Sequence, residues 1–216
     1  MSLFRLDASI RVDGSHSREI ADVAEYAWRA VHPDSRVVRR DVGVDAIPAT
    51  AWPAAAYAAQ VPEQDRTPEQ RDALALAAAL TDELAEAQAL LFAVPLYNFG
   101  VSQHFKAWVD LVIGDPRMGP RAEPVTAGKP ALLVTVRGGG YGPGSPREGW
   151  DHATGWMRRI LADVWRLDLQ VVESEFTLAA VNPALAEFKD LAAALRASAE
   201  ELARVHGRAL AGVQVG

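Results

Sequence analysis

Apolar and polar residues change period several times along the chain, and each change marks an element. Leu3 to Ala8 alternates apolar and polar positions, the period of a strand. From Ser15 to Val31 the period turns helical, with Ile20, Val23, Ala24, Ala27 and Val31 falling at spacings of three and four. Glu19 and Asp22 suit the positive end of that helix's dipole, and His32–Pro33 stops it. Ser35 to Val42 reads as a short strand with a charged flank. Ala89 to Val94 is apolar at every position, as expected of a strand buried on both faces, and Pro130 to Val136 reads as another buried strand. A fifth strand is predicted from Leu169 to Phe176. Thr67–Pro68–Glu69–Gln70 is a capping box with proline at the first helical position, opening a helix from about 68 to 87. Ser102 can cap a helix running to about Ile113, another is predicted from about 149 to 165, and Pro183 opens a last alanine-rich helix ending near 210.

Two stretches interrupt this alternation. Residues 43–65 carry Pro48, Pro53 and Pro62 and read as an excursion, irregular or with a short helix, of the kind that lines sites or interfaces. Residues 114–129, with prolines at 116, 120 and 124, read as a loop. Neither resembles a linker, and no internal repeat is visible, so residues 1–216 are expected to form a single domain. Five strands separated by helical segments predict an α/β fold with a parallel sheet and right-handed crossovers. The expected architecture is a flavodoxin-like three-layer sandwich, a five-stranded parallel sheet of order 2-1-3-4-5 with helices on both faces. The six-stranded Rossmann order needs a strand that cannot be counted. A ligand site belongs at the carboxyl edge of such a sheet.

Composition narrows the chemistry. A chain of 216 residues, 50% of them hydrophobic, can bury about 70% of its unfolded surface and needs no covalent staple. It contains no cysteine, which removes disulfides, iron–sulfur clusters and a thiol nucleophile together and fits a reducing cytoplasm. Lys and Arg number 22 against 28 Asp and Glu, a formal charge of −6, which argues against nucleic acid as a partner. No apolar run approaches membrane-spanning length, and the N-terminus opens directly into a strand, so neither a membrane segment nor a signal peptide is expected. The five histidines show no metal-binding spacing. Phosphate-binding Gly-x-x-x-x-Gly-Lys-Ser/Thr, dinucleotide-binding Gly-x-Gly-x-x-Gly and hydrolase Gly-x-Ser-x-Gly are all missing.

Three loops at the predicted carboxyl edge hold the informative residues. Ser9 through Ser17 carries Ser9, Arg11, Ser15, His16 and Ser17 just before a helix, and hydroxyls and N–H groups converging on a helix start can hold a phosphate. Ser15 and Ser17 would equally serve as helix caps. Pro95–Leu96–Tyr97–Asn98–Phe99 offers flat apolar contacts and backbone polar groups to a planar aromatic ring, or an aromatic roof to the core. Arg137–Gly138–Gly139–Gly140 allows close backbone approach to a ligand, or is a flexible turn.

Together these loops resemble those of the FMN-dependent NADH:quinone oxidoreductase and azoreductase family. The resemblance spans nearly the whole chain. Its most specific piece is Pro95–Leu96–Tyr97–Asn98–Phe99 followed by Ser102 and Lys106, supported by Ser9, Ser15-x-Ser17, Thr67–Pro68–Glu69–Gln70 and Thr135-x-Arg137–Gly138–Gly139. The resemblance implies FMN as cofactor and NADH or NADPH as co-substrate. It places Ser9, Ser15 and Ser17 at the phosphate, with Arg11 and His16 in the same loop. Pro95, Leu96, Tyr97, Asn98 and Phe99 would wrap the ring, and Arg137, Gly138, Gly139 and Gly140 would meet its polar edge. It further implies two-electron ping-pong reduction of a quinone, an azo compound or a specialised biosynthetic intermediate, in a homodimer whose sites lie between subunits. The chemistry would reside on the flavin, with no catalytic side chain. Departures concern the pocket: His16 stands where the family often has glutamine, Val136 replaces a serine, and Tyr141–Gly142–Pro143–Gly144 is an extension. Loop 114–129 lacks the family's Thr-Phe-x-Tyr run. The alternative is a flavodoxin-like electron carrier that exchanges electrons with protein partners; such carriers tend to be shorter and more acidic.

Overall fold

A computed structural model describes residues 1–119 and 121–213; Pro120, within the predicted 114–129 loop, and residues 214–216 of the expected domain lie outside the described residues. The strands are β1 (Ser2–Asp7), β2 (Arg36–Asp41), β3 (Ala89–Tyr97), β4 (Gly100–Val101), β5 (Pro130–Val136) and β6 (Asp168–Ser174). The helices are α1 (His16–Val31), α2 (Ala51–Ala58), α3 (Pro68–Glu86), α4 (Gln103–Val112), α5 (Thr154–Arg158, continued as a π-helical turn over Arg159–Val164) and α6 (Lys189–Leu210).

The parallel sheet has the order β2-β1-β3-β5-β6, and β4 pairs antiparallel with the end of β3. This is the expected 2-1-3-4-5 path with one addition. The two-residue β4 escapes sequence reading because it is too short to show a period. Asp7 pairs with Ala93, Pro95 with Val136, and Val136 with Ser174, so the chain leaves β1, β3, β5 and β6 along one edge.

Successive side chains of β3 serve opposite layers. Leu90, Phe92 and Val94 join a core under α2–α5, while Leu91 and Ala93 join a second core under α1 and α6. The first core is aromatic: Trp108 lies 6.2 Å from Phe4, 5.7 Å from Phe105 and 5.4 Å from Trp165 between ring centroids. In the second, α1 and α6 approach closely at Gly207, where an added β-carbon would lie 2.9 Å from the Ala24 Cα. Gly207→Ala is therefore expected to destabilise by about 1–2 kcal/mol in urea unfolding, because overpacking against backbone outweighs alanine's helix propensity.

The structure refines three expectations. The 43–65 excursion holds α2, and α3 starts with both halves of the Thr67–Gln70 capping box formed. Helix α5 begins at Thr154 rather than near 149, because the Asp151 carboxylate accepts from the amides of Ala153 (2.9 Å) and Thr154 (2.8 Å) and so fixes the helix start. Last, Arg5, a polar position in the alternation of β1, is buried against α1. Its guanidinium lies on Asp7 (3.0 Å), Glu25 (3.0 Å) and Asp22 (2.5 Å).

Candidate functional site

The β1–α1 loop brings its serines together without using them as caps. Ser15 occupies the N-cap position of α1 yet makes no side-chain cap bond, and its hydroxyl lies 3.3 Å from that of Ser17. Both residues are buried. The Glu19 amide donates to the Ser15 carbonyl (3.0 Å) as the helix begins, so the amides of the three residues between them have no helical partner. Two hydroxyls and a set of unengaged amides thus converge at the positive end of a 16-residue helix.

Arg18, which sequence reasoning passes over, shapes this loop. Its guanidinium donates to the Ser9 carbonyl (2.8 Å) and the Arg11 carbonyl (2.9 Å), and is itself held by Asp41 at the end of β2 (2.6 and 2.7 Å). Burial would raise the Asp41 carboxyl, but Arg18, by hydrogen bond and charge, holds it below the ordinary carboxylate range. The sequence does carry a signal: a cation in the first turn of a helix opposes the dipole and calls for another reason to be there. Tyr97 joins two of the loops, its hydroxyl lying 3.2 Å from both the Ser9 hydroxyl and the Ile10 amide.

His16 lies beside α6, with its Nδ1 2.7 Å from an Arg196 nitrogen. Burial first, and the Arg196 charge second, push its pKa below the usual imidazole value. Arginine can only donate, so Nδ1 is the acceptor and the proton resides on Nε2. His16 is thus neutral at pH 7 and brings a donor rather than a charge.

After β3 the chain reverses at Asn98 (φ 48°) and Phe99 (φ 68°), both left-handed, between the paired Tyr97 and Gly100. A two-residue hairpin loop with positive φ at both central positions prefers asparagine followed by glycine. Phenylalanine in the second place carries strain, and its ring packs 5.4 Å from Trp150 and 6.3 Å from Tyr141 between centroids. The His152 amide donates to the Phe99 carbonyl (3.0 Å), tying the segment between the Tyr141 extension and α5 to this turn. Phe99→Gly is expected to be about 1 kcal/mol more stable than Phe99→Ala in thermal unfolding, since both lose the ring and only glycine relaxes at this φ. Equal stabilities would show that the turn is unstrained.

A cavity of about 190 Å³ lies between these elements, lined by Ser9, Arg11, Ser15, His16, Ser17, Pro95, Leu96, Tyr97 and Gly138 among the anticipated residues. Gly14, Val136, Thr177 and Leu178 complete it and are not anticipated from the sequence. Leu178 belongs to it because the chain after β6 folds back onto the glycine turn: Thr177 and Leu178 amides donate to the carbonyls of Arg137 (3.1 Å) and Gly138 (3.2 Å). No local pattern announces a pairing so distant in sequence. Asn98, Phe99, Gly139 and Gly140 lie outside this lining, at the hairpin tip and along the glycine turn. Arg137 is buried with its guanidinium turned into a carboxylate cluster, on Asp151 (2.8 Å), Glu175 (3.2 Å) and Glu173. Its side chain braces the turn between β6 and α5.

A doubly wound sheet whose cavity opens at the carboxyl ends of β1, β3 and β5 defines the flavodoxin-like class. A family model described as flavodoxin-like fold matches residues 1–202. The chain is 40% identical over 210 residues to the FMN-dependent NADH:quinone oxidoreductase of Frankia alni, covering 96% of this chain and 99% of that one. It is 34% identical to the protein of the same description from Streptomyces avermitilis, over 97% of each chain. Among solved structures, the FMN-dependent NADH-azoreductase from Bacillus anthracis in complex with FMN superposes with a TM-score of 0.74 at 16% identity, covering 98% of this chain and all of that one, a likeness of fold. The chain belongs to the flavodoxin-like fold family and, within it, to the family of FMN-dependent NADH:quinone oxidoreductases.

Proposed function

We propose that the chain is an FMN-dependent oxidoreductase that uses NADH or NADPH to reduce quinones or azo compounds. The observation that carries this reading is the pair of buried, uncapped hydroxyls of Ser15 and Ser17 at the start of α1. These groups fit a phosphomonoester: it needs several convergent donors and the positive end of a helix, and requires no lysine. When bound, FMN would supply the two-electron chemistry, taking hydride from the nicotinamide and giving it to the acceptor in ping-pong order.

The chain's own groups then act at three places. The Ser9, Ser15 and Ser17 hydroxyls and the first-turn amides of α1 hold the phosphate. Leu96, Tyr97 and the Asn98–Phe99 turn flank the ring, and packing of Phe99 on Trp150 and Tyr141 holds the strained turn in shape. Backbone donors of the 97–99 and 138–140 turns hold negative charge at the ring's polar edge without reorganising. No side chain is required as nucleophile, which agrees with a chain without cysteine.

We further assign the protein to the cytoplasm, as a single domain over residues 1–216 working as a homodimer. Among the described residues no helix is long and apolar enough to cross a membrane. Trp52 and Tyr57 of α2 are 50% and 66% exposed, an apolar pair that favours a partner surface.

The test is spectroscopic. The purified protein is expected to bind FMN, to have that FMN bleached by NADH or NADPH without a second protein, and to reduce a naphthoquinone with parallel-line initial-rate kinetics. Failure to bind FMN sinks the reading altogether. Bleaching that needs a partner protein would make the chain an electron carrier instead. Sedimentation of the same sample as a monomer would remove the dimer.

A further inference from the structure

A second cavity, of about 460 Å³, lies on the other flank of the glycine turn, bounded by Gly140, Ser145, Arg147, Phe176, Glu187 and Phe188. Two of its features call for a ligand. Phe176 and Phe188 stack with centroids 4.7 Å apart and planes inclined by 22°, giving a flat apolar wall. Arg147 is exposed, makes no salt bridge among the described residues, and sets a guanidinium nitrogen 2.5 Å from where a β-carbon on Gly139 would lie.

The wall wants a ring and the guanidinium wants an anion. Glu187 sits on the same rim, so the anion is directed towards the Arg147 end. Phe176 is held in position by its backbone and its neighbours. Its φ of 57° is left-handed, its amide donates to the Gly139 carbonyl (3.3 Å), and its ring fills the space that a side chain on Gly140 would need.

We propose that this cavity binds an aromatic group bearing an anion, stacked on Phe176–Phe188 with the anion on Arg147. It adjoins the turn assigned to the flavin's edge, so within the function proposed above, on which this part rests, it seats the far end of a reactant. That end is either the adenosine phosphate portion of the nicotinamide co-substrate or an acidic aromatic substituent on the acceptor. The two share one chemistry and separate by experiment.

Calorimetric titration of the FMN-loaded protein with adenosine monophosphate and, separately, with 1-naphthoate tests the site. At least one probe is expected to bind saturably and to lose about tenfold or more in affinity in Arg147→Ala, an exposed position whose truncation leaves the core intact. The probe that responds more strongly identifies the source. Phe188→Leu, which keeps the bulk and removes the ring, is expected to weaken the same probe. No saturable binding of either probe, or equal affinities in the parent and Arg147→Ala, overturns the proposal. Flavin content is read from the visible spectrum of the same samples. FMN retained without probe binding removes this site alone, whereas probe binding by a protein that takes no FMN removes the proposed function and leaves the site.

Discussion

Ser15→Asp is expected to fold at least as stably as the parent protein and to bind FMN at least about 100-fold more weakly. Ser15 holds the N-cap position of α1 with its hydroxyl turned to Ser17. Aspartate is among the best N-caps, and its charge suits the helix dipole, so the cofactor-free protein gains up to about 1 kcal/mol. The same carboxylate would stand in the proposed phosphate seat. Two like charges about 4 Å apart repel by about 4 kcal/mol at an effective dielectric constant near 20, and about 2.7 kcal/mol already makes a hundredfold. Thermal melting of cofactor-free protein and fluorescence titration with FMN give the two numbers. Undiminished FMN affinity would show that the serines are helix-start residues and nothing more.

Arg5→Met is expected to cost about 3–5 kcal/mol in urea unfolding at pH 7, the largest loss of any single substitution considered. The methionine keeps much of the volume, strands the nearly inaccessible Asp7 carboxylate, and takes from the equally buried Glu25 one of its three guanidinium partners. The pair with Asp22 adds little, since that side chain is 60% exposed. Burial raises the Glu25 carboxyl, and hydrogen bonds from Arg29, Arg39 and Arg5 reverse this and hold it below the usual glutamate value of 4.5. A carboxyl with a depressed folded-state pKa contributes stability that is complete above its unfolded value and disappears as pH falls through the folded one. The parent protein therefore loses stability below about pH 4.5. The difference from Arg5→Met narrows over the same interval, because a protonated carboxyl no longer needs the guanidinium. A difference independent of pH would mean that Arg5 acts through packing alone.

Strand order and layers are legible in the sequence because β3 and β5 are almost wholly apolar and the helices between them keep a clear period. Legibility ends where contacts run far along the chain. Arg137 stands in the glycine turn and reads as a ligand contact, yet the structure brings Asp151, Glu173 and Glu175 to it from two later segments. Leu178 enters the cavity through amide bonds to a turn some 40 residues earlier. The start of α5 is hidden for a related reason: Asp151 looks like any polar residue until its carboxylate is seen on two amides. Conversely, the Asn98–Phe99 turn stands out in the sequence for its aromatic and polar groups, whereas its distinguishing property is backbone conformation, which composition does not record.

The contact between His16 and Arg196 joins residues 180 positions apart, and α1 buries Ile20, Ala24 and Trp28 in the core that α6 closes with Ala199 and Ala203. Loop-closure cost rises with the length of chain enclosed, so this pairing is expected to form after the sheet between the two helices. The β1–α1 loop is thus expected to be among the last parts of the site to acquire its finished surroundings. Cofactor retention is therefore expected to require α6, and a protein truncated before Lys189 should purify colourless.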